Sequence, residues 1–99
     1  MAGVPIILHD GQTLFSHVIN ASVTIDPPAL NDGDSATAEV TVTGAALGDF
    51  VMFAPPYDTQ GVTVTATVSA ADKVRFVFTN NTGGAVDLAE GEWNVKVLR

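Results

Sequence analysis

Two histidines, His9 and His17, flank the proposed hairpin turn at Asp10-Gly11 and can face each other across it to share a metal ion. A stable zinc site takes three or four protein ligands, and only Asp10 lies nearby in sequence. The pair therefore reads as a polar turn residue and an exposed strand residue. Asn31-Asp32-Gly33-Asp34 offers oxygen ligands of the kind calcium takes, but it lacks the distant bidentate Glu and the spacing of a 12-residue calcium loop. It reads as a solvated turn. There is no Cys, so a thiolate site and a disulfide framework are both excluded.

Carboxylate pairs of the type glycoside hydrolysis uses are present, as in any acidic chain. None sits in a context that raises a carboxyl pKa, and a domain this small has little room for a substrate cleft. Ser, His and Asp occur without a Gly-x-Ser-x-Gly elbow. Gly83-Gly84 follows a strand with no helix behind it, so no phosphate loop is formed. The residues predict no enzyme, no cofactor and no metal. Tyr57 and Trp93 can build a sugar-stacking platform. Trp93, at the start of an alternating strand, reads instead as a core anchor together with Phe76, whereas Tyr57, Asp58 and Gln60, in a loop after two prolines, form a candidate recognition loop. The sequons at Asn20 and Asn80 need a secretory route to be used.

The elements that must carry these residues are strands. Val62, Val64, Ala66 and Val68 alternate with Thr63, Thr65 and Thr67, the period of a ribbon with one dry and one wet face. Ala38, Val40 and Val42 alternate with Thr and Glu; Val74, Phe76 and Phe78 oppose Lys73 and Arg75; Trp93, Val95 and Val97 oppose Glu92, Asn94 and Lys96. Asp49 to Ala54 is apolar on both faces and stops at Pro55-Pro56, which cannot donate to a ladder. Ser22 to Ile25 is a shorter strand before Pro27-Pro28. Val4 to Leu8 and Leu14 to Ile19, around Asp10-Gly11, predict an N-terminal hairpin or arm over residues 1–20, followed by one domain over 21–99. A two-stranded ribbon alone is marginal in water and must pack on its own domain or on a neighbour. The predicted fold is all-β: an antiparallel β-sandwich or flattened β-barrel of about seven short strands.

The chain has 99 residues, enough for a single modest core. Hydrophobic residues make up 46%, charged residues 15%, and mean hydropathy is +0.30. A small domain cannot hide that much apolar surface, so contact with another chain is expected. From Met1 to Asp72 every charged side chain is a carboxylate; Lys73, Arg75, Lys96 and Arg99 all lie in the last part of the sequence. A surface of this kind repels nucleic acid, whose binding rests on cationic groups. No segment is long and apolar enough to span a bilayer, and Val4 to Leu8 is far shorter than a signal-peptide core. The expectation is a protein made in a cytoplasm and kept out of membranes.

The stretch from 44 to 93 reads Gly-Ala-Ala-Leu-Gly-Asp-Phe-Val at 44–51, Pro55-Pro56, Gly-Val-Thr-Val-Thr-Ala-Thr-Val-Ser-Ala-Ala-Asp at 61–72, Asn-Asn-Thr-Gly-Gly-Ala-Val-Asp-Leu-Ala at 80–89 and Gly91-Glu92-Trp93. It resembles a small all-β domain of tailed-bacteriophage virion proteins, among them capsid decoration and fibre-type proteins. The resemblance covers the C-terminal half to three fifths of the chain. It implies a virion structural protein, a decoration (cement) protein on the outside of the head, trimeric at local three-fold positions and touching several copies of the major capsid protein. Val4, Ile6, Leu8, Phe50 and Phe53 are the residues expected to meet the capsid or a neighbouring subunit. The alternative is a host-surface or carbohydrate-binding module of a fibre or tail component.

Overall fold

The computed structural model describes residues 4–7 and 13–99, with side chains from Phe15 onward. The elements are β1 (Val4–Ile7), β2 (Thr13–Ile25), β3 (Ser35–Thr41), β4 (Phe50–Ala54), β5 (Thr63–Ala70), β6 (Lys73–Thr79) and β7 (Gly91–Leu98). No helix occurs among the described residues. From β2 onward, six strands make two antiparallel sheets of three, β2-β7-β4 and β3-β6-β5, and β1 lies antiparallel along the outer edge of β2. The flattened-barrel expectation is corrected: no hydrogen-bonded ladder joins β2 to β3 or β4 to β5, so the two sheets keep separate edges.

Each strand forms where apolar residues recur every second position, because that period puts them on one face of a pleated chain. In β6, the middle strand of its sheet, Val74, Phe76 and Phe78 are fully buried. Opposite them stand Trp93, Val95 and Val97 of β7 with Ile19, Val23 and Ile25 of β2, so both sheets contribute to one core. The Phe76 ring meets Trp93 edge-on at 5.8 Å and Phe53 at 5.5 Å, while Phe78 meets Trp93 at 5.8 Å and 85°. Edge-to-face pairs of this kind add about 0.5–1.5 kcal/mol each to what burial of the rings supplies. The Thr, Glu and Lys positions between the core residues face outward.

The strands expected over Leu14 to Ile19 and Ser22 to Ile25 are one continuous strand. Asn20-Ala21-Ser22 looks like a break in sequence, yet β7 supplies a regular ladder from Val18↔Leu98 to Ile25↔Gly91, which holds these residues extended. The boundary expected at residue 20 falls inside β2. Toward its N-terminus β2 outruns β7: the last backbone link is a reciprocal pair of hydrogen bonds between His17 and Arg99, the Ser16 hydroxyl also donates to the Arg99 carbonyl, and beyond it, among the described residues, Phe15 and Thr13 pair with Ile6 and Ile7 of β1. The radius of gyration, 15.2 Å, exceeds the roughly 13 Å of a compact chain of this length. The molecule is drawn out along its strands.

Antiparallel pairing sorts the connections to two ends. At one end, residues 26–34, 55–62 and 80–90 come together: Gly33 donates to the Asn80 carbonyl, Asn80 to that of Asp34, and Leu30 and Val86 form a two-residue bridge. At the other, Val42 donates to the Asp72 carbonyl and Asp72 to that of Ala45. Asp72 closes the two-residue β5–β6 turn at φ 64°, a left-handed conformation that Asp tolerates better than most residues.

Candidate functional site

The loop end is tied together from within. Asn80 is completely buried. Its amide nitrogen donates to the carbonyls of Leu30 (3.0 Å) and Gly84 (2.8 Å), and its carbonyl oxygen accepts from the Thr82 backbone (3.0 Å) and hydroxyl (2.7 Å). The sequon nitrogen is thereby enclosed in the fold. Gly83 donates to the Asp32 carboxylate, and Asn31 to that of Asp34. Of the expected recognition loop, Tyr57 is half-buried: its ring meets Trp93 edge-on at 5.9 Å and its hydroxyl donates to the Ala89 carbonyl. This corrects the reading of Tyr57 as an exposed reader, because the double proline turns the chain back onto the core. Asp58 and Gln60 are exposed, with Asp58 accepting from the Gln60 amide. Asp26, Asp32, Asp34, Asp58, Asp87, Glu90 and Glu92 all belong to this end, and no Lys or Arg does.

The cations lie elsewhere. Arg99, at the opposite end, closes on Asp49 and also donates to the Gly44 carbonyl. Lys73 donates to Thr41, and Arg75 stands 3.8 Å from Glu39 in an exposed pair. Among the described residues no cluster of three His, Asp or Glu side chains is placed to hold a metal. His9 and Asp10, the partners required for a site at His17, lie outside the described residues.

The remaining feature is the outer face of the β2-β7-β4 sheet. Register puts Asn20, Lys96 and Met52 in one row and Ser22, Asn94 and Ala54 in the next. Lys96 donates to the Asn20 carbonyl oxygen, and Ser22 donates to Asn94 at 3.2 Å. An open groove of about 420 Å³ runs over these polar rows, and a recess of about 140 Å³ lies beside it against Met52 and Ala54. Phe50 is 67% exposed and Met52 57%; Leu47, in the loop before β4, is 70% exposed.

Of the expected contact residues, Phe50 therefore lies on the surface. Phe53 does not: it points inward onto Phe76 and Trp93, because neighbours on a strand face opposite ways and the outward set is Phe50, Met52 and Ala54. Val4 and Ile6 lie in β1; Leu8 falls outside the described residues. Trp93 and Phe76 are fully buried at the centre of the core. Met52 and Leu47 were missed as surface residues, although the i, i+2 spacing of Phe50 and Met52 already places those two on one face. Comparison of the chain with known protein families, with curated proteins and with solved structures gave no match.

Proposed function

We propose that the chain is a virion structural protein of a tailed phage, a decoration protein that binds the outside of the head lattice through its N-terminal ribbon. The observation that carries this is the overrun of β2 past β7: a two-stranded segment, β1 with the start of β2, continues beyond the last ladder pair of the larger sheet. Such a ribbon is marginal when it has water on both sides and gains most from a partner surface. The start of β2, which β7 does not reach, can there add to a strand of the major capsid protein. The resemblance of residues 44–93 to phage virion domains supplies the biological setting. In this reading the fold is a β-sandwich of seven strands, with β1 and the start of β2 as its arm.

The action is mass action. A protein that binds the mature shell better than the open or ruptured one shifts the balance toward the intact shell, and several weak contacts on one lattice suffice. The test is to mix the protein with undecorated heads of its phage and locate it in a map of the particle. Saturable density on the outer surface, with heads more resistant to heat or low salt, is the expected result; absence of binding overturns it.

A second reading, a host-glycan module, draws on the convergence of the 26–34, 55–62 and 80–90 loops at one end. It is weakened by how those polar groups are spent: Asn80, Thr82, Asp32 and the Tyr57 hydroxyl all bond within the chain. Binding of the isolated protein to a glycan array would favour it.

A further inference from the structure

We propose that two copies of the chain pair through β4, antiparallel and about a two-fold axis at Met52, joining their larger sheets into one continuous sheet. The inference stands on this edge strand alone and holds whichever surface the N-terminal ribbon meets.

Edge strands invite pairing, and proteins normally blunt them with charge, proline or bulges. Three of the four edges here carry such a device. β1 contains Pro5 and two register shifts, β3 carries Glu39, and β5 has a shift between Val68 and Ala70. β4 has none: Phe-Val-Met-Phe-Ala is uncharged, contains no proline, and runs in unbroken register with β7, its one hydrogen-bonded neighbour among the described residues. Its outward side chains, Phe50 and Met52, are the exposed ones.

The occupant follows from register and charge. Antiparallel pairing about Met52 sets Phe50 opposite Ala54 of the second copy, a large residue against a small one, and Met52 opposite its own equivalent, so the strand complements itself. The same operation reverses the strand direction. It therefore lays the loop end of one copy, with its seven carboxylates, beside the end of the other where Asp49 and Asp72 are balanced by Arg99 and Lys73, whereas a side-by-side arrangement in one direction would crowd the carboxylates of both loop ends together. Both copies still carry a net charge of −7. Pairing should tighten as salt screens that repulsion, as expected of an apolar contact between like-charged molecules.

The test uses the full chain. Sedimentation equilibrium over a concentration series, at low and high salt, should show a monomer–dimer equilibrium that shifts toward dimer with salt. Met52→Lys places two cations opposite each other on the axis and should give a monomer at concentrations where the parent is paired. Because the chain has no Cys, Met52→Cys gives an independent readout: facing residues on antiparallel strands lie within disulfide reach, about 4.5–5.5 Å between Cα atoms. The oxidised variant should form one disulfide-linked dimer, while Ser22→Cys, exposed on the same face, should not. A monomer at all concentrations overturns the proposal, as does a trimer, a dimer indifferent to Met52→Lys, or failure of Met52→Cys to cross-link in the paired state. Should Met52→Lys fail to fold by circular dichroism, the cross-linking result decides alone.

Discussion

Arg99 grips Asp49 as a fork: Nε donates to Oδ1 and Nη2 to Oδ2, each at 3.0 Å, fixing the end of β7 to the loop that leads into β4. The Asp49 side chain is only 6% exposed and also accepts from the Ala46 amide, whereas the guanidinium remains partly in water. The two sides of the pair are thus unequal. Removing the arginine strands a carboxylate with little solvent; neutralising the aspartate leaves a cation that water can still serve.

Arg99→Ala should therefore destabilise the fold by about 1–3 kcal/mol, and Asp49→Asn, which keeps the shape and one oxygen that can still accept from Nη2 and the Ala46 amide while giving up the bond from Nε, by less. Urea unfolding followed by circular dichroism measures both. The reverse order would show that the fork is not what holds this loop.

Trp93→Ala should cost about 3–5 kcal/mol, and Phe76→Ala a similar amount, since both rings are fully buried and surrounded by other rings. Trp93→Phe should cost less, about 1–2 kcal/mol, because the buried indole Nε1 has no hydrogen-bond partner among the described residues and phenylalanine removes that donor along with the lost volume. Unfolding midpoints by circular dichroism, which needs no tryptophan signal, check the series. Equal losses for Ala and Phe would mean the indole nitrogen is satisfied in solution.

Asn80→Ala should cost about 2–4 kcal/mol, since it leaves the Thr82 amide without its acceptor, removes one of two donors from each of the Leu30 and Gly84 carbonyls, and opens a void where a fully buried side chain stood. Asn80→Asp should be no milder, because a carboxylate cannot donate to those carbonyls and would be buried with its charge. Hydrogen exchange should show the loss concentrated in residues 30–34 and 80–86. A variant as stable as the parent would remove Asn80 as the pin of the loop end.

The particular residues also show what a sequence discloses. Val74, Phe76 and Phe78 alternating with Lys73 and Arg75 reveal a strand with one buried face, because the period is a local property of the chain. Phe50 to Ala54 is apolar at every position, so its alternation names two sets without saying which is inside. That choice comes from register with β7, where Met52 faces the same way as Lys96 and Phe53 the same way as Val95. Asn80 reads as a turn residue because its partner carbonyl on Leu30 lies 50 positions away. The Arg99–Asp49 fork is equally non-local. The apolar face was legible; the polar pins and the Phe50-versus-Phe53 assignment needed three dimensions.

Deleting residues 1–10 removes β1 and leaves β2 with an uncovered edge at its N-terminal end. The core lies between β2, β7 and the β3-β6-β5 sheet, and the ladder from Val18 to Ile25 is untouched, so the truncated chain should fold with a native strand signal in circular dichroism. If the ribbon is the attachment device, binding to undecorated heads should fall sharply, because without β1 the start of β2 is a single unsupported strand and no longer a ribbon held in place for strand addition. Counting bound copies per head, beside the parent protein, separates the possibilities. Full occupancy by the truncated chain, with heads stabilised as before, would show that the ribbon is not the contact; a chain that no longer folds would show that β1 belongs to the core assembly rather than to an arm.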